Sequence, residues 1–117
     1  MVELSADDVE AFRTQLHTLR NELDALLSST SEAARPVDLG LPIGRVSRVD
    51  AMQQQSMLAA NRTSATRRRQ QVDAALRRIA EDEYGDCAAC GEAIDPRRLE
   101  AQPEAALCIR CKSGAER

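Results

Sequence analysis

Four cysteines are the residues of this 117-residue sequence best suited to chemistry, and they form two C-x-x-C pairs, Cys87/Cys90 and Cys108/Cys111. Two residues between sulfurs let one tight turn present both thiolates to one ion, and Gly91 supplies the permissive backbone that such a turn needs. Four thiolates favour a tetrahedral ion, zinc first and iron second. Because four protein ligands close the coordination shell, the spacing predicts one structural Zn²⁺ per chain.

Two other uses of paired cysteines are weaker. A disulfide needs an oxidising compartment, but the N-terminal MVELSADDVE is acidic where a signal peptide would be basic and then apolar. A thioredoxin-like redox pair needs a βαβ pattern, which does not surround these cysteines.

With no apolar run long enough for a membrane span, we expect a cytoplasmic protein. With no nucleophile–base pair or phosphate-binding glycine loop, we expect no enzymatic activity.

The segment between the cysteine pairs predicts a short helix. Asp95 is a good N-cap, Pro96 suits the first helical position, and Pro103 stops the helix. The few apolar residues nearby make a core too small to fold alone. We therefore expect residues 81–117 to form a zinc finger that unfolds without its metal.

Residues 6–33 predict a long helix with Ser5 as its N-cap. Its apolar residues repeat at alternating steps of three and four, which is a heptad seam. They are Val9, Phe12, Leu16, Leu19, Leu23 and Leu26. Since the residue before Pro36 avoids the helical region, the helix is expected to end before Arg35, with a length of about 42 Å.

A second long helix is predicted from Ser47 to about Ala80, because no Pro or Gly interrupts this stretch. Ser47 and Asp50 resemble a capping box at its start. The apolar seam keeps heptad phase but is interrupted by polar residues. The seam positions are Ala51, Leu58, Ala65, Val72, Leu76 and Ile79, and the interruptions are Gln55, Arg62 and Arg69.

The charges of the two helices are opposite. Residues 1–33 carry two arginines against seven acids, and residues 47–80 carry seven arginines against two acids. The Pro- and Gly-containing loop between them favours an antiparallel hairpin over a parallel dimeric coiled coil. The predicted register places Arg67–Arg69 near Glu10, and Arg77 and Arg78 near Glu3 and Asp7. The fold class is thus mainly α: a two-helix coiled-coil hairpin over 5–80, with a tip loop at about 34–47, and a small four-cysteine zinc finger.

The stretch EDEYGDCAACGEAIDPRRLEAQPEAALCIRC resembles the zinc-finger signature of the DksA/TraR family of bacterial transcription regulators. The acidic lead-in, the C-x-x-C-G, the RRLEA run and the closing C-x-x-C match in order and spacing. The resemblance implies a coiled-coil hairpin that enters the secondary channel of RNA polymerase, while the finger docks at the channel rim. It also implies regulation of initiation without promoter DNA contact, by a monomeric protein.

Family tips carry a D-x-x-D-x-A pattern at a fixed distance before the first cysteine. Counting back that distance gives Gly44, Ser47 and Val49, with Asp50-Ala51 close by. The polymerase-directed tip is therefore expected at Arg45, Arg48, Asp50 and Ala51, with helix capping as the other interpretation of Asp50.

The alarmone ppGpp, a partner implied by the same resemblance, would be held by basic residues. The matching positions here are Gln71, Gln102 and Lys112, of which only Lys112 is basic. A second function remains open: a zinc-ribbon module that binds nucleic acid or another protein directly. It would use the basic residues around the cysteines, Arg97, Arg98, Arg110 and Lys112. A pI near 5.2 argues against direct nucleic-acid binding.

Overall fold

The computed structural model describes residues 4–31 and 45–115, with side chains described for 4–31 and 48–114. It contains four helices: α1 (Ala6–Ser29), α2 (Arg45–Ala80), α3 (Pro96–Ala101) and α4 (Ile109–Ala115). Within those ranges there is no strand, and one isolated antiparallel bridge joins Asp86 to Ala93. The prediction of a mainly helical fold is confirmed. The predicted tip loop falls largely outside the described residues.

Helix α1 begins as predicted and ends earlier than predicted. The Ser5 hydroxyl accepts a hydrogen bond from the Asp8 N–H, and the Asp8 carboxylate accepts one from the Ser5 N–H, both at 3.1 Å. The end at Ser29 is four residues short of position 33. There, the hydroxyls of Ser29 and Thr30 both donate to the Leu26 carbonyl and so compete with helical hydrogen bonds. The 24 residues span about 36 Å.

Helix α2 is longer than predicted at its start. It begins at Arg45, so Ser47 and Asp50 lie inside the helix and the predicted capping box is wrong. It ends at Ala80 as expected, and its 36 residues span about 54 Å.

The two long helices form an antiparallel hairpin, as three contacts show. Arg62 donates to the Leu27 carbonyl, Arg69 pairs with Asp24, and Asp73 pairs with Arg20. Residue numbers rise along α2 as they fall along α1. The core between the helices contains Leu16, Leu23, Ala65, Val72, Ala75 and Ile79.

The seam of α1 departs from the predicted heptad at its C-terminal end. Leu26 is 46% exposed, and Leu27 packs against the core instead. A straight helix drifts by about 20° per heptad relative to a strict seven-residue repeat. Over the two heptads from Phe12, this drift turns Leu26 away from α2 and brings Leu27 towards it.

The predicted charge register was wrong. Arg69 pairs with Asp24 at 2.7 Å, whereas Glu10 pairs with Arg13 of its own helix at 3.5 Å. The buried apolar residues of α2 lie in its C-terminal half, at Ala65, Val72, Ala75 and Ile79. Apolar packing of α1 against that half of α2 sets the register of the two helices. The ion pairs then form between the charged residues that this register brings together.

The only two aromatic side chains join the hairpin to the cysteine-rich end. The rings of Phe12 and Tyr84 lie 5.7 Å apart between centroids. Phe12 shares a second core with Cys87, Ile94 and Leu99. The cysteine-rich end is therefore packed on α1 near the base of the hairpin.

Candidate metal centre

The structure brings all four predicted ligands together. The sulfurs of Cys87, Cys90, Cys108 and Cys111 lie within 4.8 Å of one another, and none forms a disulfide. The sulfurs of Cys90 and Cys108 are 3.8 Å apart. A tetrahedron with Zn–S bonds of about 2.3 Å has edges of about 3.8 Å, so this donor set fits zinc in size and in chemistry.

Each cysteine pair is positioned by a different local structure. The first lies on a turn in which the Gly91 N–H donates to the Cys87 carbonyl at 2.9 Å, and Gly91 has a φ of +78°, as its predicted role requires. The second lies at the start of α4, where the Lys112 N–H donates to the Cys108 carbonyl. A hydrogen bond of 2.8 Å from the Ala88 N–H to the Ala106 carbonyl joins the two halves.

Backbone dipoles and neighbouring sulfurs set the charge of the ligands. The backbone N–H groups of Cys108 and Cys90 point at the Cys87 sulfur and lower the pKa of its thiol to about 6. The neighbouring sulfurs of Cys108 and Cys87, which accept hydrogen bonds from the thiol, raise the pKa of Cys111. Four thiolates this close repel one another, and a divalent cation at their centre would relieve that repulsion.

The short helix between the pairs is confirmed. The Asp95 carboxylate accepts from the Arg97 N–H at 2.9 Å, which lowers the pKa of Asp95, and Pro96 begins α3. The helix ends at Ala101, and it buries Leu99 completely. Local turn and capping signals were sufficient to predict this element.

Sequence reasoning missed the contacts that hold this end on the hairpin. Glu104 is 7% exposed and pairs with Arg68 of α2 at 3.0 Å. The Tyr84 hydroxyl donates to the Pro103 carbonyl at 2.9 Å. A single acid in a loop has no periodicity, so no sequence signal marked Glu104.

The predicted tip residues lie at the opposite end of α2 from the cysteines. Arg48 and Asp50 are exposed, whereas Ala51 is half-buried; the side chain of Arg45 lies outside the described residues. The longest dimension of the molecule is 62 Å. Tip and metal centre are thus separate sites.

The three positions matched to ppGpp contacts are brought together. Gln71, Gln102 and Lys112 line one groove of about 360 Å³, where α2 meets the cysteine-rich end. Arg67, Arg68 and Glu104 line the same groove, and because Arg68 and Glu104 pair with each other, its net positive charge comes from Arg67 and Lys112. No helix in the described ranges is long and apolar enough to span a membrane.

The fold and the cysteine cluster define a class: a four-cysteine zinc finger carried at the base of a two-helix hairpin. The family model of the prokaryotic dksA/traR C4-type zinc finger matches residues 82–117. The "RNA polymerase-binding transcription factor DksA" of Escherichia coli K12 is 34% identical over 109 residues, which are 92% of this chain and 66% of the relative. The protein of that name in Buchnera aphidicola is 30% identical, over 90% of this chain and 69% of the relative.

A solved structure supports the same classification. Transcription factor DksA2 from Pseudomonas aeruginosa aligns with a TM-score of 0.75 and 29% identity, covering 97% of this chain and 86% of that one. The chain belongs to the DksA/TraR family, and its four cysteines hold one zinc ion. It spans just under two thirds of the length of the E. coli relative.

Proposed function

We propose that this protein binds RNA polymerase and regulates transcription initiation, with the hairpin entering the secondary channel and the zinc finger docking at its rim. The observation that carries the proposal is the family's finger on a two-helix hairpin, together with relatives named as RNA polymerase-binding factors. The helical hairpin over 5–80 would be the probe, and residues 81–117 its anchor. Neither module needs chemistry of its own.

The dimensions of the hairpin support this role. Helix α2 spans about 54 Å, and its C-terminal half packs on α1. An elongated molecule of 62 × 31 × 20 Å suits a narrow, deep channel better than a flat surface.

Direct binding to purified core RNA polymerase tests the proposal. We expect binding at micromolar concentration or tighter in the presence of zinc, and its loss in Cys87→Ser, which removes a metal ligand. Ser56→Ala, an exposed change on α2, serves as the control variant. If the zinc-loaded wild type does not bind core polymerase at that concentration, the proposal is wrong.

Asp50 is the acid proposed to act at the tip. Since it lies inside α2 and is exposed, capping no longer accounts for it. Asp50→Asn should reduce the effect on initiation in a transcription assay in vitro while leaving polymerase affinity within about threefold. Glu22→Gln, another exposed acid on the hairpin, is the matched control and should change neither quantity.

We propose that ppGpp adds little to this activity. Two of the three matched positions in the groove are neutral, and Arg68 is already paired with Glu104. Transcription assays with and without ppGpp test this, with Lys112→Gln as the variant. A large ppGpp effect that Lys112→Gln abolishes would contradict the expectation and would assign the groove to the alarmone.

Direct nucleic-acid binding by the finger is the weaker alternative. Arg98 donates to the Leu107 carbonyl, Arg110 pairs with Glu92, and Arg97 pairs with Asp95, so three of the four basic residues have partners within the finger. Affinity for duplex DNA that falls steeply with rising salt would revive this alternative.

A polymerase partner would place the protein in the cytoplasm, and the intrachain hairpin favours a monomer. The apolar seam of α1 is occupied by α2 of the same chain. Sedimentation equilibrium should return the mass of one chain, 12.8 kDa before the metal is added.

A further inference from the structure

The two side chains of the Arg68–Glu104 ion pair are buried to very different extents. The Glu104 side chain is 7% exposed, whereas the Arg68 side chain is 44% exposed. One carboxylate oxygen accepts from the Arg68 Nε at 3.0 Å, and the other is buried without a hydrogen-bond partner in the described structure. Glu104 therefore depends on Arg68, while water can solvate Arg68 if Glu104 is lost.

The loop that carries Glu104 connects the hairpin to the metal centre. On the hairpin side, Arg78 of α2 donates to the Ala105 carbonyl at 3.4 Å, and Tyr84 donates to the Pro103 carbonyl. On the metal side, the Ala106 carbonyl accepts from Ala88, and Cys108 follows two residues later. A change in the position of Glu104 on α2 would thus move the zinc finger as a whole.

In the observed placement of the finger, Arg68 is the cation that pairs with Glu104. Moving the loop away from Arg68 would separate this pair, and a buried carboxylate that has lost its cation is among the costlier defects in a protein interior. The Nε of Arg78 is also buried without a partner, so the contact is not saturated with hydrogen bonds. A contact of this kind fixes the position of the loop on α2, although it does not give the largest possible binding free energy between them.

We propose that the Arg68–Glu104 pair is the joint that fixes the zinc finger on the hairpin, and that Glu104 is a positioning residue for polymerase binding. The second part rests on the proposed function. A two-ended ligand binds a larger partner best when both ends are held at the right separation beforehand, because less ordering remains for the binding step. Being buried, Glu104 acts through finger placement rather than through contact with the partner.

Hydrogen exchange in the zinc-loaded full chain tests the joint. In Arg68→Met, the Ala88 and Ala105 amides, whose hydrogen bonds tie down the loop, should exchange at least tenfold faster. Glu104→Met should have a smaller effect, and the double variant should return to within about threefold of wild type. The Gly91 amide, inside the cysteine turn, should not change in any of them. Arg77→Met, an exposed arginine on α2, is the matched control.

The joint is refuted if the two single changes are equal and add in the double variant, since independent residues add. If Arg68→Met does not fold, Glu104→Gln replaces it, because the amide keeps the shape and loses the charge. Unchanged exchange at Ala88 and Ala105 in Glu104→Gln would then refute the joint.

Polymerase affinity tests the positioning role separately. Glu104→Gln should weaken binding to core polymerase by about fivefold or more, whereas Glu100→Gln, an exposed acid in α3, should not. If Glu104→Gln binds as wild type does, positioning is refuted. If the wild type itself does not bind polymerase, the proposed function fails, while the exchange result still decides the joint.

Discussion

Truncation of Leu16 is the sharpest test of the hairpin, because the structure separates two leucines that the sequence treats as equivalent. Leu16 is fully buried at the centre of the α1–α2 core, whereas Leu26 is 46% exposed. Leu16→Ala removes buried carbons worth about 2.4 kcal/mol of transfer free energy, at roughly 0.8 kcal/mol per methylene. The residual cavity raises the expected loss to about 3–4 kcal/mol.

Leu26→Ala is the matched control. About half of its side chain is already in water and its loss opens no internal cavity, so we expect a loss of about 1 kcal/mol. Urea unfolding of the zinc-loaded chain, followed by circular dichroism at 222 nm, measures both values, with an unchanged m-value as the check on cooperativity. Equal losses for the two variants, or a larger one for Leu26→Ala, would refute the packing of α1 on α2.

Three further results are expected. Metal analysis should find one zinc per chain, and chelation should unfold the finger, seen as rapid exchange of the Gly91 amide, while most of the α1–α2 helical signal persists. Gly85→Ala should destabilise the protein by at least about 1 kcal/mol in thermal melts, because Gly85 has a φ of +98° and the added Cβ would lie 2.9 Å from the Leu4 side chain. Gly114→Ala is the control and should leave the stability unchanged, because the space around Gly114 is open. Burial raises the pKa of Tyr84, so the contribution of the neutral phenol to stability is complete below pH 10 and is lost as pH rises further. Phenolate absorbance of this single tyrosine should therefore appear only together with unfolding. Titration near pH 10 with the helices intact would contradict the burial of Tyr84.

Local signals allowed accurate prediction where they acted alone. The Ser5 cap, the Asp95-Pro96 helix start and the cysteine spacing each depend on a few neighbouring residues, and the structure confirms all three. The end of α1 and the start of α2 were less predictable. Hydroxyl side chains near Ser29 compete with the helix, and nothing near Ser47 stops α2 from beginning earlier.

Contacts between distant segments were not predictable in the same way. Opposite net charges indicated that the helices would pair, but not in which register, because surface charges adjust to whatever apolar packing selects. The Arg68–Glu104 contact joins residues 36 positions apart and repeats no pattern. Only the fold brings them together.

The polar residues inside the apolar seam of α2 determine which helix can pack against it. Arg62 donates to the Leu27 carbonyl and to the Thr30 hydroxyl, and seven residues further on Arg69 donates to Asp24. Two copies of α2 aligned in parallel would instead set arginine against arginine at both levels. The polar residues that make the α2 seam less hydrophobic thus make it selective. Helix α1 satisfies their hydrogen-bonding groups and charges, whereas a second copy of α2 would be repelled.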